Sequence, residues 1–171
     1  MSGRPCNVLF LCTGNSARSI LAEALINHWG LDKFRGFSAG SFPKGSVHPR
    51  AIELLRRMNL PTTDLRSKSW DEFAAADAPH FDFIITVCDN AAGETCPIWP
   101  GKPLTAHWGI ADPAAVEGSD ENKGAAFRRA LTELEARIRL LVNLPIQSLD
   151  RMTLREELRA IGRGPAKDQT D

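Results

Sequence analysis

The sequence has no surplus of charge, since 21 basic and 21 acidic side chains cancel over 171 residues. Nothing in that balance attracts nucleic acid or anionic lipid over a distance. Long apolar runs are lacking too. The longest are strand-sized, well short of the roughly 20 residues that cross a bilayer, and no charged-then-apolar leader precedes Asn7. The expectation is a cytoplasmic protein with neither nucleic acid nor membrane as partner. Cysteine is scarce, at positions 6, 12, 88 and 96 only. Four are too few for a disulfide scaffold of this length, and thiols in a reducing compartment are more often catalytic or metal-binding. No Cys-x2-Cys pair is present, which argues against zinc held by Cys88 and Cys96 with His80 or His107. There is no internal repeat and no sign of a second core, and 43% hydrophobic residues suffice for one compact unit.

What is present begins with Val8-Leu9-Phe10-Leu11, an unbroken apolar run that suits a parallel strand covered on both faces. Thr13-Gly14-Asn15-Ser16 breaks it, and Ser19 to Trp29 predicts a helix with Ile20, Leu21, Ala24, Leu25 and His28 on its buried stripe. Phe34 to Ala39 predicts a second strand ending at Gly40. Ala51, Leu54, Leu55 and Met58 then mark a second helix, with Pro49 in its first turn. Ser69 and Glu72 are spaced as a capping box for a short helix. Phe81 to Val87 reads as a buried strand with Cys88 at its carboxyl end, and Leu104 to His107 as a last strand. Residues 108 to 119, rich in Gly, Pro and Asp, predict a loop. A long amphipathic helix follows through Phe127, Leu131, Leu134, Ile138 and Leu141. The division expected is a domain over 1–145 and a C-terminal extension over 146–171, comprising a helix with Leu154, Leu158 and Ile161 and a polar tail. Alternating strands and helices imply an α/β sandwich that binds ligands beyond the carboxyl ends of its strands.

Cys12-Thr13-Gly14-Asn15-Ser16-Ala17-Arg18-Ser19 therefore lies at a strand-to-helix junction, with a thiol and a guanidinium at the two ends of a small-residue loop. Loop and helix N–H groups can converge there on a tetrahedral anion while the fork of Arg18 grips two of its oxygens. The same positive field is expected to lower the pKa of Cys12 and make it a nucleophile. Ser19 is placed to hydrogen-bond the sulfur. Gly14 is expected to open unusual backbone conformations, and Asn15 to tolerate a left-handed one. A Cys-x5-Arg spacing alone arises by chance in many sequences, and the strand-to-helix context is what points to function.

The run VLFLCTGNSARS, the following Ala-Glu helix, Ser38-Ala39-Gly40 and His107-Trp108-Gly109-Ile110-Ala111-Asp112-Pro113 resemble the low-molecular-weight tyrosine phosphatase superfamily, which includes the thioredoxin-coupled arsenate reductases. The resemblance covers about residues 7 to 142. It implies a three-layer α/β sandwich with a four-stranded parallel sheet, and Asp112 as the general acid and base, with Asp89 and Asp120 as fallback candidates. It also suggests a structural potassium ion near the loop, since Asn15, Glu23 and Ser38 match in type, although Glu23 on a solvated helix face fits the residues equally well.

Both branches of the superfamily share the loop, and the later cysteines separate them. A phosphatase needs Cys12, Arg18 and an acid, whereas reducing arsenate takes two electrons, which thiols supply by forming a disulfide. In the mechanism the resemblance implies, Cys12 attacks arsenate, Cys88 resolves the adduct, and Cys96 then takes over Cys88. Cys6 reads as a bystander. No tightly bound cofactor is expected, only an external thiol reductant: thioredoxin, or glutaredoxin with glutathione. Seven residues separate Cys88 from Cys96, one more than in the thioredoxin-coupled reductases, so the donor stays open. If helical, that span would hold the two Cα atoms about 12 Å apart, more than a disulfide spans, and would have to unwind. Ala114 and Ala115 follow Asp112-Pro113 where phosphatases of the superfamily usually carry aromatics, which suits a small inorganic anion, with Phe42 and Trp108 left as possible apolar walls. The alternatives are a phosphatase acting through a phosphocysteine and a non-catalytic oxyanion-binding module.

Overall fold

A computed structural model describes residues 4–88, 99 and 101–163. The strands are β1 (Cys6–Cys12), β2 (Phe34–Gly40), β3 (Phe83–Thr86) and β4 (Leu104–His107). They form one parallel four-stranded sheet in the order β2-β1-β3-β4. The helices are α1 (Arg18–Trp29), α2 (Pro49–Arg57), α3 (Asp120–Val142) and α4 (Arg151–Arg163). This is the α/β class expected from the alternation of patterns.

The period of two along β1 divides the core. Val8 and Phe10 face the helices and pack with Leu21 and Leu25 of α1, Phe127, Leu134 and Ile138 of α3, and Leu158 of α4. Leu9 and Leu11 face the other way, onto a layer made by Phe73, Phe81, Trp99 and Ile84. Phe37, Phe73 and Phe81 meet there in edge-to-face pairs 5.3 to 5.7 Å apart, a geometry that aligns each ring edge with a negative face.

Several expected boundaries shift for local reasons. The third strand begins at Phe83 rather than Phe81, because the Asp82 carboxylate turns back to accept from the Asn7 N–H (2.8 Å) and pairs with Arg4. Phe81 leaves the ladder for the aromatic layer. Ser69 does cap a turn, accepting from Asp71 N at 3.1 Å, but Glu72 grips Arg66 instead of closing the box, and the element is a 3-10 turn over Trp70–Phe73. His28 is exposed. Ile26 takes the buried position on α1, which lies between sheet and α3 and is covered around most of its girth.

The C-terminal helix belongs to the same packing. Leu154, Leu158 and Ile161 join the main core, and the indole Nε1 of Trp108 donates to Leu158 O at 2.9 Å. Gly162 lets the helix approach, since a Cβ there would lie 2.4 Å from His107 O. Trp108 is wholly buried and tilted against Phe10. It packs between β1 and α4 and is not the pocket wall suggested by its sequence position.

Candidate active site

β1 and α1 are joined by residues 13–17, and the loop backbone is held at almost every step. Thr13 O accepts from Phe42 N (2.9 Å), Gly14 O from Lys44 N (3.0 Å) and Ser67 Oγ (3.2 Å), and Ser16 O from His48 N (2.8 Å). With its carbonyls tied outward to neighbouring segments, the loop leaves N–H groups as its inward chemistry. Ala17 offers no side-chain cap and the first turn of α1 carries no acidic residue, so the positive end of the helix is open to an anion. Cys12, Thr13, Gly14, Asn15, Ser16, Ala17, Arg18, Phe42, Lys44, Asp112 and Ala114 line a cleft of ≈ 180 Å³.

Asn15 provides the turn. Its φ is 44°, and the residue is fully buried. Nδ2 donates to Ser19 Oγ (2.7 Å) and Ser38 Oγ (3.0 Å), while Oδ1 accepts from Lys68 N (2.9 Å). Both amide hydrogens and one carbonyl lone pair of the side chain go into fixing one left-handed residue. Gly14, expected to supply conformational freedom, is not in the left-handed region. It supplies room instead, because a Cβ there would come within 3.3 Å of Lys44 Cε. Ser19, expected to face the sulfur, has the Asn15 amide as a partner.

Arg18 is held in two places. One terminal nitrogen donates to Ile110 O at 2.8 Å, and the other lies 3.6 Å from Asp112 Oδ2. Asp112 in turn accepts from Ala114 N at 3.0 Å, which aims its carboxylate at the cleft. Of the fallback acids, Asp120 is 95% exposed and pairs with Arg50 at the start of α3, outside the cleft lining. Asp89 lies outside the described residues.

Two thiols meet at the mouth of the loop. Cys12 and Cys88 are both buried and unbridged, and the Thr13 N–H donates to Cys88 Sγ at 3.3 Å, with its hydroxyl 3.6 Å from the same sulfur. This corrects the expected acidity of Cys12, whose pKa lies well above that of a free thiol. The hydrogen bond with Cys88 is the largest cause and burial the second, opposed by the charge of Arg18 and the Thr13 N–H. The field of the loop acts as anticipated, but a neighbouring sulfur outweighs it. Two such close thiols share one charge more readily than they carry two. Cys96 lies outside the described residues, as does the rest of the 89–98 span, the segment expected to unwind if helical. Cys6 is partly buried at the opposite end of β1.

Beneath the loop, Ser38 Oγ donates to Glu23 Oε1 at 2.6 Å, so Asn15, Glu23 and Ser38 do come together. Glu23 is not on a solvated face, its side chain being 15% exposed. The residue that the sequence did not single out is Lys68. Its Nζ donates to Arg66 O (2.7 Å) and Ser38 Oγ (3.5 Å) and lies 3.8 Å from Glu23 Oε1. Burial pushes the Glu23 carboxyl up and the Lys68 ammonium down, each opposed by the charge of the other. The oxygens that would suit potassium thus already face a cation of the chain itself, so the ion does not fit. Among the described residues no group of three or more His, Cys, Asp or Glu is arranged to hold a metal, and no helix is long and apolar enough to cross a membrane.

Comparison with known proteins agrees with this geometry. The family model for low molecular weight phosphotyrosine protein phosphatases matches residues 7–156. An arsenate reductase of Halalkalibacterium halodurans is 36% identical over 132 residues, 77% of this chain and 91% of that protein. Among solved structures, an arsenate reductase of Archaeoglobus fulgidus superposes with a TM-score of 0.63 at 31% identity, covering 80% of this chain and 99% of the other. A thioredoxin-dependent arsenate reductase of Corynebacterium glutamicum does so with a TM-score of 0.57 at 27% identity, over 81% and 61%.

Proposed function

The chain belongs to the low molecular weight phosphotyrosine protein phosphatase family, and from that premise we propose that it reduces arsenate to arsenite with Cys12 as nucleophile and Cys88 as resolving thiol. The observation that carries the reading is the Thr13 N–H bond to Cys88 Sγ at 3.3 Å. Hydrolysis of a phosphate ester has no use for a second thiol at the nucleophile, whereas a two-electron reduction requires one.

Arsenate enters the loop with its oxygens on the N–H groups of residues 14–19, and Arg18 turns its fork from Ile110 and Asp112 to two of them. Cys12 sulfur attacks arsenic as its proton passes to an arsenate oxygen, and that oxygen leaves as water with a second proton from Asp112. The thiolate of Cys88 then attacks Cys12 sulfur. The S–As pair of electrons passes to arsenic, which departs as arsenite, and a Cys12–Cys88 disulfide remains. Cys96 attacks Cys88, releases Cys12 as a thiolate, and leaves a Cys88–Cys96 disulfide. An external dithiol, thioredoxin or glutaredoxin with glutathione, reduces that bond. Thiols used in this way require a reducing compartment, which supports a cytoplasmic location.

The shared charge of the two thiols suits the sequence of events. Before arsenate binds, Cys12 is held up by its neighbour, and once Cys12 is bonded to arsenic it no longer competes for charge, so that Cys88 becomes the next nucleophile on giving its proton to the Asp112 carboxylate. Ala114 in the cleft lining, where an aromatic would grip a phenyl ring, also favours a small anion.

The test is arsenite production from arsenate with either donor system, comparing the parent with Cys12→Ser, Cys88→Ser and Cys96→Ser, and an aryl phosphate assay alongside. Multiple turnover that needs Cys12 and Cys88 is expected, and the Cys96 variant reports whether the relay is internal. Efficient aryl phosphate cleavage without Cys88 and without arsenate reduction would make the chain a phosphatase. Phosphate binding with neither activity would make it a binding module.

A further inference from the structure

We propose that Lys68 is a built-in cation that positions the oxyanion loop, standing where the loop would otherwise need an alkali metal ion. The inference rests on reading residues 12–19 as the anion site but not on which anion is turned over.

Lys68 is the charged side chain among the buried polar residues of the described core, 7% exposed. A lysine is rarely buried without a task for its charge, because desolvating an ammonium is costly. Here the charge meets three oxygens: Arg66 O, Ser38 Oγ and Glu23 Oε1. From those oxygens a continuous chain of hydrogen bonds reaches the loop. Glu23 accepts from Ser38, Ser38 accepts from Asn15, and Asn15 holds Ser19. The backbone N–H of Lys68 closes the circuit on Asn15 Oδ1. One residue thus secures the left-handed turn of the loop from both ends of its own length.

The arrangement also has an electrostatic purpose. Glu23 puts a carboxyl group beneath a site meant for an anion, and uncompensated it would repel that anion through a poorly screening interior. Lys68 neutralises it. The position of Nζ leaves no use for a second cation, since the Ser38 and Glu23 oxygens already face the ammonium. Alkali ions should therefore leave the parent protein indifferent, and a protein deprived of the ammonium should come to depend on them.

The experiment uses the full reduced chain and inorganic phosphate as the probe, with affinity measured by titration calorimetry in potassium chloride and in tetramethylammonium chloride at equal ionic strength. Lys68→Ala removes the ammonium and opens a void. Lys68→Met keeps most of the stem and removes only the charge. The parent should bind phosphate within about twofold in the two salts, and Lys68→Ala should bind about tenfold more weakly in tetramethylammonium and recover severalfold in potassium. Lys68→Met should be weakened similarly without recovery, and it keeps the proposal testable if the alanine variant fails to fold. In arsenate turnover the loss should fall on KM, with kcat changed by less than about threefold, as expected for ground-state anion binding. Potassium activation of the parent, or parent-like phosphate affinity in Lys68→Met, overturns the proposal. Failure of the parent to reduce arsenate, with the phosphate pattern intact, overturns the function alone.

Discussion

The Thr13 N–H donates to the sulfur of Cys88 across 75 residues of sequence. One loop amide thereby turns to the second thiol. It holds Cys88 at the mouth of the loop beside Cys12. The carboxyl ends of β1 and β3, adjacent in the sheet, bring this about without any local sequence signal.

Removal of Cys88 should make Cys12 more acidic. The hydrogen bond with Cys88 is the largest cause raising the Cys12 pKa, and the opposing charge of Arg18 would remain. A raised pKa keeps the thiol protonated until higher pH, so its alkylation should set in late in the parent and at lower pH in Cys88→Ala. The pH profile of iodoacetamide labelling at Cys12 measures this, and an unchanged or higher midpoint would refute it.

Gly40 is a position where the loop tolerates no side chain. A Cβ there would lie 2.4 Å from Thr13 O and 2.8 Å from Cys12 O, both backbone atoms. Gly40→Ala should therefore cost about 1–3 kcal/mol of stability and weaken phosphate binding markedly. Gly45→Ala is the control. It has a φ of 90° but open space around it, so it should cost about 1 kcal/mol and leave phosphate affinity unchanged. Equal effects on binding in the two variants would show that the Gly40 contact does not shape the loop.

Arg18→Lys keeps a positive charge but loses the planar fork. Hydrogen bonds to charged groups contribute about 1.5–3 kcal/mol, so phosphate should bind about tenfold or more weakly. Calorimetry decides, and near-parent affinity would mean that Arg18 acts as a point charge only.

Trp108→Phe should destabilise the protein by about 1–3 kcal/mol, because it removes the indole hydrogen bond to Leu158 O and opens space in the core. A lower urea midpoint is expected. An unchanged midpoint would mean that α4 contributes nothing to the cooperative unit.

Much of this molecule is legible along the chain because its strongest signals are local. Val8 to Leu11 announces a strand covered on both faces, the α3 pattern a helix, and Cys12 with Arg18 an anion loop. What was misread depends on distance. Trp108 looks like a pocket aromatic until α4 is seen to cover it. The acidity of Cys12 is inverted by a sulfur from another strand. Lys68, between Ser67 and Ser69, has the local context of a surface lysine, and only the approach of β2 and α1 buries it with Ser38 and Glu23. Gly14 and Asn15 are both plausible turn residues, and the amide network of Asn15 decides which of them takes the left-handed conformation.

Arg18 leans on Ile110 O, Ile110 N on Val87 O, and the neighbouring Trp108 on Leu158 of the last helix. The thiol and the arginine are close neighbours in sequence, yet the carbonyl that steadies Arg18 comes 92 residues later. A peptide carrying the loop alone would therefore hold its thiol and its guanidinium without their relative placement.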